Sequence, residues 1–427
     1  MTRMIFKGGR MEGEVSPPAS KSHSHRAFFL SSMAEGTSRI SNPLMSDDIL
    51  STIAACRAMG AEIQVGEPSV VNGGALHAPD GVIDTENSGT TMRIMTGLCG
   101  MFDEEIELTG DASIRKRPMG PLLEALSSEG ASCGSDSGRP PVKVKGPCHG
   151  GQVHISGGVS SQFITSLMML SPMLKEDSTI TIEGEMLSTP YLDVTAHMMG
   201  LFGANVRRDG NVVEVKGGTG YRPYDYRVPA DFSSTAFPLA AGVLGGKVTV
   251  TGMDMEDPQG DKAIVDILRR AGADIEADGD RITARKSELH GIEVDMGLVP
   301  DLFPIVATVL STAKGDSRLY GAPQLRFKES DRIASVTAMI NGLGGSAEPT
   351  DDGCIIHGVD SLDGGTVDNR GDHRIMMSAA VASLVCRKGV TMDDVECCAI
   401  SYPGFVEQFR NMGMATEVLR CTGSETP

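Results

Sequence analysis

Several short stretches of this sequence place Lys and Arg beside hydroxyl or carboxylate side chains. Lys-Ser-x-Ser-x-Arg spans residues 21–26, three consecutive cations occupy 115–117, and FKESDR at 327–332 combines two cations with two carboxylates. Arg and Lys bind carboxylate and phosphate groups, and a carboxylate held among them can transfer a proton. The pattern therefore indicates general acid–base transfer chemistry on small polyanionic molecules.

The sequence gives no indication of another reaction class. It contains no GxxxxGK[ST] phosphate loop, no evident Ser–His pair or activated Cys, and no metal-site spacing of His and Cys. We therefore expect neither a metal nor a cofactor. A competing interpretation is that the runs at 115–117 and 327–332 are merely solvated. Three cations at a positive helix end are unfavourable, however, and an anionic ligand would relieve that.

Composition limits the classes of partner. The chain has 427 residues and a formal net charge of −18, which argues against nucleic acid or an anionic membrane. No apolar run approaches the roughly 18 residues of a membrane helix, and the first residues contain no secretory apolar segment. Nine scattered cysteines, an odd number, favour the reducing cytoplasm over a disulfide framework. We expect a cytoplasmic monomer with small-molecule partners.

The elements that would position these residues recur along the chain. Six stretches each combine a β-branched strand, a polar loop and a helix, and a glycine closes each helix about every 70 residues. These glycines are Gly60, Gly130, Gly203, Gly272, Gly344 and Gly413. We therefore predict six copies of one α/β unit.

Each copy also has a second helix that is almost wholly apolar, such as TSLMMLSPML or IVATVLSTA. A helix that is apolar on all sides is buried. Loops rich in Ser, Thr, Asn or Asp precede these helices and contain most of the clustered polar residues, at the helix end that attracts anions. Thr91, Ser233 and Ser234 are interpreted as plain helix caps. A cap does not explain the cation beside Ser22.

The polypeptide can pass from one half of the repeats to the other at two places, residues 11–20 and 220–231. We therefore predict an N-terminal domain over 14–228 and a C-terminal domain made of 1–13 and 229–427, with three repeats each. The first strand, MIFKG, is assigned to the C-terminal domain because the sixth copy lacks an opening strand of its own.

Seven motifs, in order along essentially the whole chain, resemble the 5-enolpyruvylshikimate-3-phosphate synthase family of enolpyruvyl transferases. They are SKSHSHRA, ENSGTTMR, RKRPMGPLLEAL, VSSQF, STPYLD, FKESDR and GDHRIMM. The resemblance implies an α/β fold of two similar domains, each with three βαβαββ repeats and buried helices. This is the inside-out α/β barrel type with a pseudo-sixfold repeat.

The resemblance also implies a transferase of the shikimate pathway, which leads to chorismate and the aromatic amino acids. Such an enzyme moves the enolpyruvyl group of phosphoenolpyruvate to the 5-hydroxyl of shikimate-3-phosphate and releases phosphate. The reaction is an addition followed by an elimination through a tetrahedral intermediate. Glyphosate is then expected to occupy the phosphoenolpyruvate pocket.

Site residues follow from the resemblance by position. Asp301 and Glu329 are implied as the proton-transfer pair, with Lys21 assisting. The residues implied to bind shikimate-3-phosphate are Lys21, Ser22, Arg26, Ser160, Ser161, Gln162, Ser188, Tyr191, Asp301, Gln324 and Lys328. Those implied to bind phosphoenolpyruvate are Lys21, Gly89, Arg117, Gln162, Arg332 and Arg374.

Two positions depart from the family pattern, and two alternatives stay open. Ile400 stands where many members carry a Lys, and Gln324 where an Asn is common. One alternative is the related transferase that acts on a UDP-amino sugar, which typically has a reactive Cys in the loop corresponding to 111–117; DASIRKR contains none. The other is a non-catalytic repeat protein that binds phosphorylated metabolites. Asp301 and Glu329 argue against it, because pure anion binders avoid like charge.

Overall fold

The computed structural model describes residues 2–419, which divide after Pro18 and after Pro229 into two compact units. We call residues 19–229 the N-terminal unit, and residues 2–18 with 230–419 the C-terminal unit. Each has its own apolar core. The first division lies later than the predicted 13/14 boundary, because the strand Met11–Val15 pairs within the C-terminal unit. Cys421 lies outside the described residues.

The helices of the described chain form two alternating classes. In chain order they are α1 (Lys21–Met33), α2 (Asp47–Ala58), α3 (Gly89–Leu98), α4 (Gly120–Ser128), α5 (Ser161–Leu170), α6 (Pro190–Leu201), α7 (Phe232–Gly245), α8 (Ile264–Arg270), α9 (Phe303–Leu310), α10 (Arg332–Gly342), α11 (His373–Ala382) and α12 (Phe405–Asn411). The odd-numbered helices are buried almost throughout, as predicted, and the even-numbered ones have one exposed side. In the C-terminal unit α7, α9 and α11 contact one another.

The strands are short and alternate between buried and exposed residues. In chain order they are β1 (Arg3–Gly8), β2 (Met11–Val15), β3 (Gly36–Ser41), β4 (Glu62–Gln64), β5 (Ser69–Gly73), β6 (Ile83–Asp84), β7 (Ile106–Thr109), β8 (Ser132–Asp136), β9 (Arg139–Lys145), β10 (Gly151–Ser156), β11 (Ser178–Glu183), β12 (Val206–Asp209), β13 (Val212–Val215), β14 (Tyr226–Arg227), β15 (Gly246–Thr251), β16 (Asp274–Asp278), β17 (Arg281–Arg285), β18 (Glu293–Asp295), β19 (Asp316–Tyr320), β20 (Ser346–Pro349), β21 (Cys354–His357), β22 (Gly365–Val367), β23 (Val390–Met392) and β24 (Ala415–Leu419).

These strands form six four-stranded sheets of one design. In the sheet with strand order β18-β19-β21-β20, for example, the chain runs from β18 through the buried helix α9 to β19, which pairs parallel to β18. β20 and β21 then form an antiparallel hairpin, and β21 pairs with β19. The other five sheets repeat this arrangement, so each copy is a βαβαββ unit. The predicted six-copy α/β architecture is confirmed.

Three strands complete copies to which they are not adjacent in sequence. β14 opens the first copy beside β3, and β2 opens the fourth beside β15. β1 pairs with both β23 and β24 and closes the sixth copy. The sixth copy does have its own opening strand, β22, so that part of the prediction is wrong. β22 is only three residues long and shows too little alternation to be recognised.

The six repeat glycines end the outer helices in the left-handed region. Their φ angles lie between 88° and 111°, and each follows an even-numbered helix by two residues. A residue with a Cβ is strained at such angles, so glycine is the favoured helix terminator. The chain can then turn directly into the next strand. None of the described helices is long and apolar enough to cross a membrane.

One carboxylate is buried at the end of α4. Glu129 is 4% exposed, and no ion pair reaches it within the described residues. Burial raises the pKa of Glu129 from 4.5 to about 7. The unfolded chain therefore releases this proton at lower pH than the folded chain, so folding stability falls as the pH rises from about 4.5 to 7.

Glu129→Gln is expected to raise the free energy of unfolding by roughly 1–3 kcal/mol at pH 8, because it removes a buried charge. At pH 4.5 the change should be small, since the carboxyl is protonated in the folded state. Urea unfolding at both pH values measures this. Glu124→Gln, on the exposed side of the same helix, is the matched control. Equal effects of the two variants would contradict the explanation.

Candidate active site

Several predicted site residues lie in the first turns of the buried helices. α3 begins at Gly89 and α11 at His373, so these residues belong to helices and not to the preceding loops. The side chains of Ser88 and Asp372 are the N-caps, and each accepts a hydrogen bond from a backbone N–H of its helix. The residues expected in polar loops are thereby fixed on rigid elements.

The interpretation of Thr91, Ser233 and Ser234 as helix caps is wrong. Asp231 caps α7, accepting hydrogen bonds from both the backbone N–H and the hydroxyl of Ser234. Ser233 donates to the Asp261 carboxylate. Thr91 is the third residue of its helix. A cap precedes the first helical residue, and runs of hydroxyl residues hide that boundary in the sequence.

Lys21 is the first residue of α1 and is held by a carboxylate that the sequence analysis did not assign. Its Nζ lies 2.9 Å from Oδ2 of Asp48 on α2, and both side chains are mostly buried. The ion pair fixes the ammonium group at the start of a buried helix, where backbone N–H groups also attract anions. Asp48 is therefore part of the candidate site.

Arg26 lies deeper on α1 and is satisfied by neutral oxygens. Its Nε donates to Thr195 Oγ1 at 2.9 Å, and its terminal nitrogens donate to the carbonyls of Ser22 at 2.9 Å and Tyr191 at 3.2 Å. No ion pair with a carboxylate is present within the described residues. Burial lowers the pKa of Arg26 to about 10. The guanidinium remains charged at neutral pH and contributes positive potential to this end of the unit.

Arg117 is the buried member of its basic run, whereas Arg115 and Lys116 are exposed, as the solvated interpretation expects. A terminal nitrogen of Arg117 donates to Ser113 Oγ at 3.3 Å, and its buried Nε has no hydrogen-bond partner among the described residues. A Cβ built on Gly89 would overlap with Nη1 of Arg117. The absence of a side chain at Gly89 is what allows the guanidinium to approach α3.

Gln162 joins α5 to α3. Its Oε1 accepts from Arg93 Nη1 at 2.6 Å, and its Nε2 donates to Thr90 Oγ1 at 2.8 Å. Ser160 caps α5 by accepting from the Gln162 backbone N–H at 3.3 Å, and Ser161 is buried as the first helical residue. The two helix starts are thus locked together. Arg93, which received no role from the sequence, belongs to this group.

Ser188 is strained and lies beside Tyr191. It is buried and has a φ of 59°, a left-handed conformation that costs a non-glycine residue about 1–3 kcal/mol. Its carbonyl accepts from the Tyr191 backbone N–H at 3.2 Å. Strain of this kind is concentrated at functional sites. Through Tyr191, whose carbonyl holds Arg26, this loop is tied to the cluster on α1.

In the C-terminal unit, Arg332 organises three carboxylates. Its side chain is 1% exposed, and its nitrogens donate to Asp372 at 2.9 Å, Asp301 at 2.8 Å and Glu329 at 2.7 Å. Burial alone would lower the pKa of Arg332, but the carboxylates of Asp372, Glu329 and Asp301 raise it above its ordinary value. The predicted Asp301–Glu329 pair therefore shares one permanently charged guanidinium.

Asp301 contacts three cations. Besides Arg332, its carboxylate lies 3.0 Å from Nη2 of Arg374 and 3.5 Å from Nζ of Lys328. Nη1 of Arg374 also donates to the Asp301 carbonyl at 3.3 Å. Asp301 is located in the short 3-10 turn Pro300–Leu302 that leads into α9. The carboxylate is thus held at a helix start by residues that the sequence had already grouped with it.

Two buried carboxylates beside this cluster were missed. Burial is the main cause that raises the pKa values of Asp231 and Asp261, and the charge of Asp301 raises both further. The pKa of Asp261 is raised to about 7. Asp231 is the N-cap of α7, and Asp261 lies in the short 3-10 turn Gly260–Ala263 that leads into α8. Their distance in sequence from Asp301 left no local signal.

Gln324 is the predicted residue that the structure leaves apart from the Asp301 cluster. Its Nε2 donates to the Gly297 carbonyl at 3.1 Å, and its buried Oε1 has no hydrogen-bond partner among the described residues. It joins two loops but makes no hydrogen bond to Asp301.

Residues 2–419 contain no group of three or more His, Cys, Asp or Glu side chains that could hold a metal ion.

Comparisons with known proteins show to which family the chain is similar. A family model described as EPSP synthase (3-phosphoshikimate 1-carboxyvinyltransferase) matches residues 5–409. The 3-phosphoshikimate 1-carboxyvinyltransferase of Methanocorpusculum labreanum is 44% identical over 96% of this chain and 98% of its own length. That of Methanocaldococcus jannaschii is 39% identical, covering 97% of this chain and 99% of its own.

A solved structure agrees as well. The EPSP synthase of Acinetobacter baumannii superposes with a TM-score of 0.83 at 28% identity, covering 98% of this chain and 100% of that one. Sequence, fold and the grouping of the motif residues all lead to one assignment. The chain belongs to the EPSP synthase family.

Proposed function

We propose that this protein is a 3-phosphoshikimate 1-carboxyvinyltransferase: it transfers the enolpyruvyl group of phosphoenolpyruvate to the 5-hydroxyl of shikimate-3-phosphate and releases phosphate. Relatives with that name match over nearly their whole length. The observation that carries the proposal is that Asp301 and Glu329 are both held by Arg332, and that Lys328 and Arg374 also contact Asp301. Carboxylates in that position are suited to proton transfer and serve no purpose in plain anion binding.

Shikimate-3-phosphate carries a phosphate and a carboxylate, and cations and helix starts suit both groups. The residues proposed to bind it in the N-terminal unit are Lys21, Ser22, Arg26, Ser160, Ser161, Gln162, Ser188 and Tyr191. In the C-terminal unit they are Asp301, Gln324 and Lys328. Gln324 would contribute through Oε1, because its Nε2 already donates to Gly297.

Phosphoenolpyruvate is the smaller substrate and likewise carries a phosphate and a carboxylate. The residues proposed to bind it are Lys21, Gly89, Arg117, Gln162, Arg332 and Arg374. Arg117 supports this assignment, because its buried Nε lacks a hydrogen-bond partner among the described residues and no carboxylate there pairs with it. A bound anion would supply that acceptor.

The reaction then proceeds in two stages. In the addition, the 5-hydroxyl oxygen bonds to C2 of phosphoenolpyruvate, its proton leaves, and C3 takes up a proton to become a methyl group. In the elimination, C2 loses phosphate and the methyl group loses a proton, which restores the double bond. Asp301 and Glu329 exchange these protons, and Lys21 assists. The cations stabilise the negative charge that develops on the phosphate.

Phosphate release tests this function against both alternatives. The protein is incubated with phosphoenolpyruvate alone, with added shikimate-3-phosphate, and with an added UDP-amino sugar. Inorganic phosphate is expected only with shikimate-3-phosphate. Release with the UDP-amino sugar would establish the related transferase. Binding of either phosphorylated compound with no phosphate release would establish a non-catalytic binding protein.

Gly89→Ala is expected to weaken glyphosate inhibition at least about tenfold and to raise the KM for phosphoenolpyruvate less. The added methyl group would overlap with Arg117 Nη1 and displace the guanidinium, and the inhibitor, whose chain is longer, tolerates this less than the substrate. Inhibition constants measure the effect. Gly120→Ala is the control, because its Cβ would have no heavy atom within 4 Å. Unchanged inhibition of Gly89→Ala would refute this placement.

We further propose a cytoplasmic monomer without nucleic-acid or membrane partners. The odd number of scattered cysteines and the net charge of −18 support it. Light scattering coupled to gel filtration tests the monomer, since one chain has a mass of 45.0 kDa and a dimer would have twice that mass.

A further inference from the structure

A buried chain of hydrogen bonds runs beneath the helix starts of the N-terminal unit. The imidazole Nδ1 of His25 on α1 lies 2.7 Å from Thr52 Oγ1 on α2, which lies 2.6 Å from Thr91 Oγ1 on α3. Thr91 Oγ1 in turn lies 2.6 Å from Ser88 Oγ. All four side chains are fully or almost fully buried. The chain therefore connects three helices without help from solvent.

Two of its members, Ser88 and Thr91, lead to residues of the proposed site. Ser88 is the N-cap of α3 and directly precedes Gly89. Thr91 Oγ1 also reaches the Asp48 carbonyl at 3.4 Å, and the Asp48 carboxylate holds Lys21. The middle residue, Thr52, makes neither contact itself and acts only through its neighbours.

The surroundings of the His25 ring determine its charge and which ring nitrogen carries the proton. Burial, followed by the charges of Lys21 and Arg26, lowers the pKa of His25 well below its ordinary value, so the ring is neutral. Its Nε2 is buried with no hydrogen-bond partner among the described residues. A buried N–H without an acceptor costs about 1–3 kcal/mol, so the proton is expected on Nδ1, facing Thr52.

With the proton on Nδ1, every hydroxyl group of this chain can donate one hydrogen bond to the next acceptor. His25 donates to Thr52, Thr52 donates to Thr91, and Thr91 donates to the Asp48 carbonyl. Ser88 donates to Thr91 and accepts the Thr91 backbone N–H at 3.3 Å. Every donor then has an acceptor, and only the Nε2 lone pair is left over. Thr52→Val would remove the hydroxyl at the centre of this hydrogen-bond chain.

We propose that Thr52, held by His25 on α1, is a positioning residue: through Thr91 and Ser88 it sets the start of α3, and with it Gly89 and the adjacent Arg117, which are assigned to phosphoenolpyruvate alone. The inference rests on the proposed function. A purely structural role would lower stability and leave the preference between the substrates unchanged. A positioning role changes the KM for one substrate selectively.

The kinetic test compares Thr52→Val, Thr52→Ser and Thr96→Val. Thr52→Val keeps the shape and removes the hydroxyl, and it is expected to raise the KM for phosphoenolpyruvate about five- to tenfold with less than a twofold change for shikimate-3-phosphate. Thr52→Ser should restore both constants to within about twofold. Thr96→Val is the matched control, because that buried hydroxyl donates only within its own helix, to Met92.

Several results would overturn the proposal. One is an equal rise of both KM values in Thr52→Val, and another is no rise at all. A selective rise in Thr96→Val as large as in Thr52→Val would also overturn it, as would failure of Thr52→Ser to restore the constants. If the parent protein itself releases no phosphate with both substrates, the proposed function fails instead, and the imidazole measurement below still decides the network.

Nitrogen NMR of histidine-labelled protein provides that independent measurement. The parent protein at pH 7 is expected to show His25 as a neutral ring with the proton on Nδ1, identified by its loss in His25→Asn. An imidazolium ring or a proton on Nε2 in the parent would overturn the network, whether or not Thr52→Val folds. A proton on Nδ1 supports it.

Discussion

Asp301→Asn and Glu329→Gln are each expected to lower kcat about 10²–10⁴-fold while changing the KM values much less. Both substitutions preserve size and hydrogen-bonding shape, so substrates should still bind. Both remove the proton acceptor on which the addition and the elimination depend. Steady-state phosphate release with both substrates measures the effect.

The matched control for these variants is Glu276→Gln. Glu276 also pairs with an arginine of the C-terminal unit, Arg285, but on the exposed surface. Its kcat should match that of the parent. If Asp301→Asn and Glu329→Gln instead keep a near-normal kcat with raised KM values, the two carboxylates only bind substrate and the proton transfer is carried out elsewhere.

The repeat architecture was predictable because its signals are local. A glycine such as Gly60 or Gly413 ends each outer helix at an angle that disfavours other residues, so its spacing survives in the sequence. The buried helices are recognisable because they are apolar on all sides. Pairing between distant strands has no such signal. β14 and β22 are two and three residues long, and only tertiary packing decides which sheet they join.

In the candidate site, too, residues with local sequence signals were predicted and residues that act through distant partners were not. Lys328, Glu329 and Arg332 were found because they stand together in FKESDR, and the structure does bring them to Asp301. Asp261 was missed because its interactions lie far along the chain. So was Thr52, whose contacts with His25 and Thr91 join three separate helices. A polar residue that acts through such partners resembles an ordinary surface hydroxyl in a sequence read alone.

Arg332→Met is expected to destabilise the C-terminal unit by about 3–5 kcal/mol, because it removes the cation that pairs with the fully buried Asp372 and also contacts the partly buried Asp301 and Glu329. Arg332→Lys should recover only part of the loss, since one ammonium group cannot reach all three carboxylates in the geometry of a guanidinium fork. Urea unfolding of the substrate-free protein measures both variants.

Arg281→Met is the control, because Arg281 pairs with a single carboxylate, Glu14, at the surface, and its loss should cost at most about 1 kcal/mol. The penalty of Arg332→Met should also depend on pH. A buried carboxylate that loses its cation, as Asp372 would, is protonated more easily in the folded state, so the penalty is fully present at neutral pH and shrinks as the pH falls toward 4. A loss that equals that of Arg281→Met, or that is the same at pH 4 and pH 7, would show that the charge of Arg332 does not hold this cluster together.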